Sequence, residues 1–243
     1  MIYKVKQGQV SYGEAIGIIL IENFAPFIPG DVANASTYSF PVRLQRVKGL
    51  SVKRMFAKDV TALELVLEAG RQLVKEGVRA VTADCGFMAL FQKELANQLE
   101  VPVFLSSLLQ VPFISRMLGD SEKVGIITAS SQALDASLLE KVGVDSSVLV
   151  HIKGMESQEN FARAILDEVG VLDSGKIERE VVSLASEMIQ EDPKVKAILL
   201  ECSCLPPYGA AIQEAINLPV FDFVTMINYV YSAVVKKRFH GFM

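Results

Sequence analysis

Apolar-rich runs of strand length alternate with amphipathic stretches along the whole of this chain. Residues 16–21 (IGIILI), 78–82 (VRAVT), 101–105, 123–128 (KVGIIT), 148–152, 195–200 (VKAILL) and 219–222 read as strands. Between them, residues 60–75 carry Leu63, Val66, Leu67, Leu73 and Val74 at spacings that share one helical face. Helices are also predicted over 87–99, 108–118, 132–142, 158–169, 176–190, 208–216 and 224–237. Pro112 falls in the first turn of its helix, where a missing N–H costs little. Residues 24–58 follow neither period. Pro26, Pro29, Gly30 and Pro41 interrupt them, which predicts a long ordered loop.

Strands that alternate with helices imply parallel sheets covered on both faces. The pattern also repeats. Residues 78–107 (VRAVTADCGFMALFQKELANQLEVPVFLSS) lie over 195–224 (VKAILLECSCLPPYGAAIQEAINLPVFDFV) without a gap, at an offset of 195 − 78 = 117. Cys85 falls on Cys202, and Pro102-Val103-Phe104 on Pro219-Val220-Phe221. KVGIIT in turn echoes AIGIIL at 15–20. The expected fold is α/β, with two pseudo-symmetric Rossmann-like lobes, each a parallel sheet flanked by helices. Residues 1–118 and 223–243 are assigned to the first lobe, the last helix returning to it, and 119–222 to the second.

Composition narrows the function classes. Hydrophobic residues make up 51% of 243, enough for a full core. The 24 basic and 28 acidic residues form no basic block, so the electrostatic footprint of a nucleic-acid binder is missing. The apolar runs are far shorter than a membrane span, and Glu22-Asn23 follow the first one where a signal peptide would need small residues. Three cysteines without a pairing pattern fit free thiols in a reducing compartment, so a cytoplasmic location is expected.

The two matched cysteines are the chemistry-bearing residues. Each follows a strand and precedes a helix, and open parallel sheets bind ligands at the carboxyl ends of their strands. A thiol near a helix N-terminus is expected to gain thiolate character, the reactive form. The alternative is two buried cysteines acting as small hydrophobes; matched placement in a duplicated unit favours the site. Asp84 and Glu201 also match, each just before a cysteine. Strand alternation predicts that their side chains point away from the thiols, and a hydrogen-bonding cap competes with any catalytic role. Cys202-Ser203-Cys204 is a C-x-C without a second pair or a nearby histidine, so no metal site is expected. Neither a dinucleotide nor a triphosphate fingerprint occurs, and His151 and His240 lack partners nearby in sequence.

The stretches 28–42 (IPGDVANASTYSFPV), 82–96 (TADCGFMALFQKELA), 106–112 (SSLLQVP), 123–129 (KVGIITA), 199–213 (LLECSCLPPYGAAIQ) and 216–228 (INLPVFDFVTMIN) resemble the cofactor-independent aspartate/glutamate/hydantoin racemase superfamily, in particular a branch of aspartate/glutamate racemase-like proteins. The resemblance covers nearly the whole chain. It implies an active site between two lobes, with Cys85 and Cys202 facing a substrate carbon from opposite sides, one as base and one as acid. It also implies no cofactor and, often, a homodimer. Where amino-acid racemases of this superfamily have Asn-Thr after the first cysteine, this chain has Gly86-Phe87. Where they have Gly-Cys-Thr-His, it has Glu201-Cys202-Ser203-Cys204. Phe87 then offers an apolar wall, Ser203 a hydroxyl for a carboxylate, and Cys204 stands where a helper histidine would be. Ser106, Ser107, Thr128, Asn34 and Arg46 are further substrate-binding candidates, each with a structural alternative as a cap or a surface residue. The expected activity is racemisation or epimerisation of a small amino-acid-like substrate next to a carboxylate or carbonyl, by two-thiol proton transfer. The alternatives are a maleate-isomerase-like or arylmalonate-decarboxylase-like enzyme, or a non-catalytic small-ligand-binding relative.

Overall fold

The computed structural model describes residues 2–5 and 7–243. Its strands form two sheets in which every pairing is parallel. The first holds β1 (Ile16–Glu22), β2 (Val42–Ser51) and β3 (Ala80–Ala83), in the order β2-β1-β3. The second holds β4 (Lys123–Thr128), β5 (Val150–Gly154), β6 (Val195–Leu200) and β7 (Val220–Phe221), in the order β5-β4-β6-β7. The sequence repeat survives in the register. β6 meets β7 at Ile198–Val220, and at the matched place in the first sheet Val81 forms a single bridge with Val103. The two halves are the two α/β lobes that the apolar pattern predicts.

Helices α1 (Val52–Phe56), α2 (Leu63–Lys75) and α3 (Gln92–Gln98) accompany the first sheet, and α4 (Val111–Ser115) packs on β4 of the second. Next come α5 (Ala136–Lys141), α6 (Glu159–Phe161), α7 (Ser174–Glu191), α8 (Gly209–Ile216) and α9 (Phe223–Val234). Burial follows the helical period: α2 buries Val66, Leu67, Ala69, Gly70 and Leu73, and α7 buries Ile177, Val181, Leu184, Ala185 and Met188. Asp222 caps α9 by accepting the Thr225 N–H at 2.7 Å. From there Phe223, Met226 and Ile227 pack with Ile16, Ile18, Ala80 and Phe104 of the first sheet. No helix among the described residues is long and apolar enough to cross a membrane.

Several elements depart from the predicted pattern for identifiable reasons. The stretch 24–58 is not all loop, since it contains β2 and α1. β2 is an edge strand with mostly half-buried or exposed side chains, so its sequence, VRLQRVKGLS, shows no apolar run. The predicted strand at 101–105 shrinks to the bridge at Val103, beside Pro102, which has no N–H to give a ladder. The helix predicted over 87–99 opens as a tight 3₁₀ turn, Gly86–Phe91, before α3. The one predicted over 158–169 is α6 followed by a π-helical turn, Ala162–Leu166.

Phe223 is fully buried where α9 meets the first sheet. Phe223→Ala should lower unfolding stability by about 3–5 kcal/mol, the usual cost of emptying an aromatic core site, read as a lower urea midpoint. A change under about 1 kcal/mol would show that α9 is not part of this core.

Candidate active site

Both cysteines stand two residues beyond the end of a strand, Cys85 after β3 and Cys202 after β6. The residue before each is an acid that finishes the sheet in the same way twice. The Asp84 N–H bonds Ile19 O at 3.0 Å, and its Oδ1 accepts the Ile21 N–H at 2.9 Å. The Glu201 N–H bonds Ile127 O at 2.8 Å, and its Oε2 accepts from Thr128 Oγ1 at 2.7 Å. Each acid thus clamps the end of a central strand, β1 or β4, and the chain turns sharply into the seam between the lobes. Both acids are buried and hold strand ends, but the expectation that they point away from the thiols fails. Both line the cleft with the cysteines, because the chain turns into the seam at these positions instead of continuing the strand alternation.

Cys85 and Cys202 line one cleft. Around it stand Gly86, Phe87, Asp84, Ile21, Asn23, Phe27, Val52 and Phe56 from the first half, and Glu201, Ser203, Cys204, Ala129, Ile165 and Leu166 from the second. The cavity is tight, about 30 Å³, room for one or two waters. Phe56 and Phe87 meet edge to face, ring centroids 4.8 Å apart. No lysine or arginine is among the described lining residues. The segment after β1 fastens across the cleft: Asn23 Nδ2 donates to Ile165 O at 3.2 Å, and the Phe24 N–H to Glu168 Oε2 at 3.2 Å.

The two sulfurs have different surroundings. Burial pushes the Cys85 thiol well up, and the charges of Glu201 and Asp84 add to this, against one Phe87 N–H that acts the other way. The thiolate character expected from a helix N-terminus is therefore outweighed at Cys85; the helix behind it is only a 3₁₀ turn, with a correspondingly small dipole. Cys204 stands with Cys202 on the cleft wall; its interaction with Cys202, then burial, then the nearby Asp31 push its thiol well up. Asp31 is 2% exposed and accepts the Ala33 N–H at 2.7 Å; burial raises its pKa to about 7. Burial also raises Glu201 to about 7, and Asp84 well above the ordinary carboxylate range.

Of the residues singled out from sequence, Cys85, Gly86, Phe87, Cys202, Ser203 and Cys204 meet at the cleft. The others stand behind or away from it. Ser203 Oγ donates to the Asp84 carbonyl, joining the lobes. Ser107 Oγ donates to Leu200 O at 3.0 Å, and Ser106 caps the following turn by accepting the Leu108 N–H at 3.2 Å. Thr128 holds Glu201. Asn34 Nδ2 donates to Phe27 O at 2.9 Å, so it supports the loop that carries Phe27 and Asp31. Arg46 is exposed on β2 and paired with Glu22. Phe27, Phe56 and Asn23 were not foreseen as lining residues, and nothing in their local sequence marks them. Asp31 lies in the 28–42 stretch that carried the resemblance, where only its burial against Cys204 distinguishes it.

No family model matches the chain. Dimethylsulfoniopropionate lyase 5 of Emiliania huxleyi (strain CCMP1516) is 28% identical over 231 residues, 90% of this chain and 45% of that protein. Dimethylsulfoniopropionate lyase of Durusdinium sp. clade D is 29% identical over 222 residues, 88% of this chain and 73% of that protein. This chain thus spans about half the length of the Emiliania relative (45%). Among solved structures, allantoin racemase from Pseudomonas fluorescens superposes with a TM-score of 0.62 at 17% identity, covering 91% of each chain. Unliganded arylmalonate decarboxylase gives 0.59 at 16% identity, covering 93% of this chain and 94% of that one. Glutamate racemase from Bacillus anthracis gives 0.56 at 13%, covering 90% and 82%. The chain has the fold of these racemases and decarboxylases. The superfamily expectation thus holds for the fold, while the sequence relatives are lyases by name.

Two predictions follow from the packing and the buried acids. A methyl group on Gly86 would lie 1.8 Å from Glu201 Oε1 and 2.7 Å from Glu201 O. Gly86→Ala should cost about 1–3 kcal/mol as overpacking, and Glu201→Ala in the same chain should relieve only part of it, because the carbonyl contact remains. An uncrowded Gly86→Ala variant of full stability would refute the close approach. Asp31 and Glu201 hold their protons to about pH 7 in the folded protein, whereas the unfolded chain releases them near pH 4. The folded form binds more protons through that window, so stability falls as pH rises from about 4 to about 7 and then levels. Urea midpoints between pH 5.5 and 8 should show this decline, and Asp31→Asn and Glu201→Gln should flatten it.

Proposed function

We propose that this cleft removes a proton from the carbon next to a carboxylate with a cysteine thiolate, and that its substrate is a small zwitterion carrying a sulfonium group, of the dimethylsulfoniopropionate type, which it breaks by β-elimination. The observation that carries this reading is the wall of the cleft: three thiols, three phenylalanine rings and buried acids, with no lysine or arginine. A dicarboxylate such as aspartate or glutamate would meet no cationic partner there. A soft cation is suited to the ring faces of Phe27, Phe56 and Phe87. The two dimethylsulfoniopropionate lyases, similar over about nine-tenths of this chain, point to the same substrate class.

Cys202 is the base in this scheme. The Cys204 thiol, near Asp31, stands ready to donate to its anion. Cys85, kept as a thiol by burial and by Glu201 and Asp84, donates a hydrogen bond to the substrate carboxylate, where charge builds as the proton departs. The Cα proton moves to the Cys202 sulfur. The C–H electron pair becomes the Cα–Cβ double bond, and the Cβ–S bond breaks with its pair leaving on neutral dimethyl sulfide. Acrylate remains, and loss of the proton from Cys202 to solvent resets the site. Because the cavity is tight, entry requires the Asn23–Ile165 and Phe24–Glu168 contacts to part.

A second reading is racemisation, in which Cys85 returns a proton to the opposite face of the carbon. The placement of one thiol from each half in a single cleft favours it.

Incubation with dimethylsulfoniopropionate in deuterated buffer separates the two. Release of dimethyl sulfide with acrylate in equal amount is expected. Cys202→Ala should lower the rate about 10²–10⁴-fold, the range for loss of a positioned base, with Cys85→Ala less severe. Deuterium uptake at Cα of amino acids or related acids, without gas release, would favour the racemase and overturn the lyase. Neither reaction with any substrate of a broad panel would leave a ligand-binding relative.

A further inference from the structure

The matched acids are not chemically equal. Asp84 is one methylene shorter than Glu201, and it spends its carboxylate on the end of β1. Glu201 reaches further. Its Oε2 is held by Thr128. Oε1, in a side chain that is 0% exposed, has no hydrogen-bond partner among the described residues. That oxygen lies against Gly86, on the opposite lobe and next to Cys85, at a distance any side chain at position 86 would occupy. At the matched position in the second half stands Ser203, whose hydroxyl is used on the Asp84 carbonyl. An unpaired buried carboxyl oxygen is costly and calls for an explanation. A glycine that makes room for it indicates that the approach is built into the fold.

We propose that Glu201 is a positioning residue that acts across the seam: its carboxyl, laid over Gly86, holds Cys85 as a hydrogen-bond-donating thiol. This rests on the two-thiol reading of the cleft. The groups that face Cys85 are Glu201, Asp84 and Cys202, with the Phe87 N–H as the opposing donor. Asp84 is already committed to Ile21, which leaves Glu201 as the acid whose free oxygen is turned toward the Cys85–Gly86 backbone. Below about pH 7 Glu201 is neutral and burial alone holds the thiol; above it the ionised carboxylate adds its charge. Cys85 therefore stays protonated further into the alkaline range than burial alone would keep it.

The test reads thiol state rather than turnover. Cys85 and the Cys202–Cys204 pair fall on different tryptic peptides, so iodoacetamide labelling of each can be followed by mass spectrometry across pH 6–10. In Glu201→Gln, which keeps shape and removes charge, Cys85 labelling at a fixed pH above about 7 and below the thiol's midpoint should rise about tenfold. The Cys202 peptide should change much less. An unchanged Cys85 profile in a folded variant overturns the proposal, as does an equal rise on both peptides, which means general loosening of the cleft. If Glu201→Gln does not fold, Thr128→Val, which frees the carboxyl from its anchor, decides in the same way with a smaller shift. The proposal stands or falls separately from the lyase reading, because labelling requires no substrate.

Discussion

The site depends on two hydrogen bonds that buried acids make to the ends of the central strands. Asp84 holds the Ile21 N–H at the end of β1, and Glu201 holds the Thr128 hydroxyl at the end of β4. A strand that ends inside a protein leaves polar groups that must find partners. Supplying the acceptor from the residue just before each cysteine closes that account and fixes where the chain turns. The same clamp, made twice at one sequence interval, delivers two sulfurs to one seam. Without it the cysteines would be loop residues of undefined direction.

The clamps also set the electrostatics. Acids buried this deeply are costly to ionise, so the cleft holds its protons into the neutral range. Into that setting come two thiols with opposite neighbours. Cys85 is surrounded by acids and apolar walls; Cys202 is met by a donor, Cys204, backed by Asp31 from the other half. A molecule built from a duplicated unit thus acquires a directional site. The asymmetry comes from a few substitutions between the halves: Glu for Asp at the clamp, Ser for Gly after the cysteine, and a third cysteine where the first half has Phe87. The walls of the cleft are aromatic and apolar, with no lysine or arginine among the described lining residues.

Much of this is legible in the sequence. Apolar runs such as KVGIIT and VKAILL marked buried parallel strands because such strands are covered on both faces and show no alternation. The ungapped repeat placed Cys85 and Cys202 at equivalent strand ends, and the motif around them indicated the racemase-like fold. Local pattern failed where an element faces solvent or departs from a standard period. β2 is a polar edge strand, and the turn at Ala162–Leu166 is π-helical. It also failed for the walls: Phe27, Phe56 and Ile165 reach the cleft only because distant segments are folded together.

The chain by itself determined its strand and helix sequence, its internal repeat and the matched placement of Cys85 and Cys202, since these follow from periodicity and from spacing along one polymer. Tertiary structure decided what each thiol experiences. Proton affinity depends on burial and on charges brought near through space, and the carboxyl of Glu201 comes to rest over Gly86 only when the two halves close upon each other.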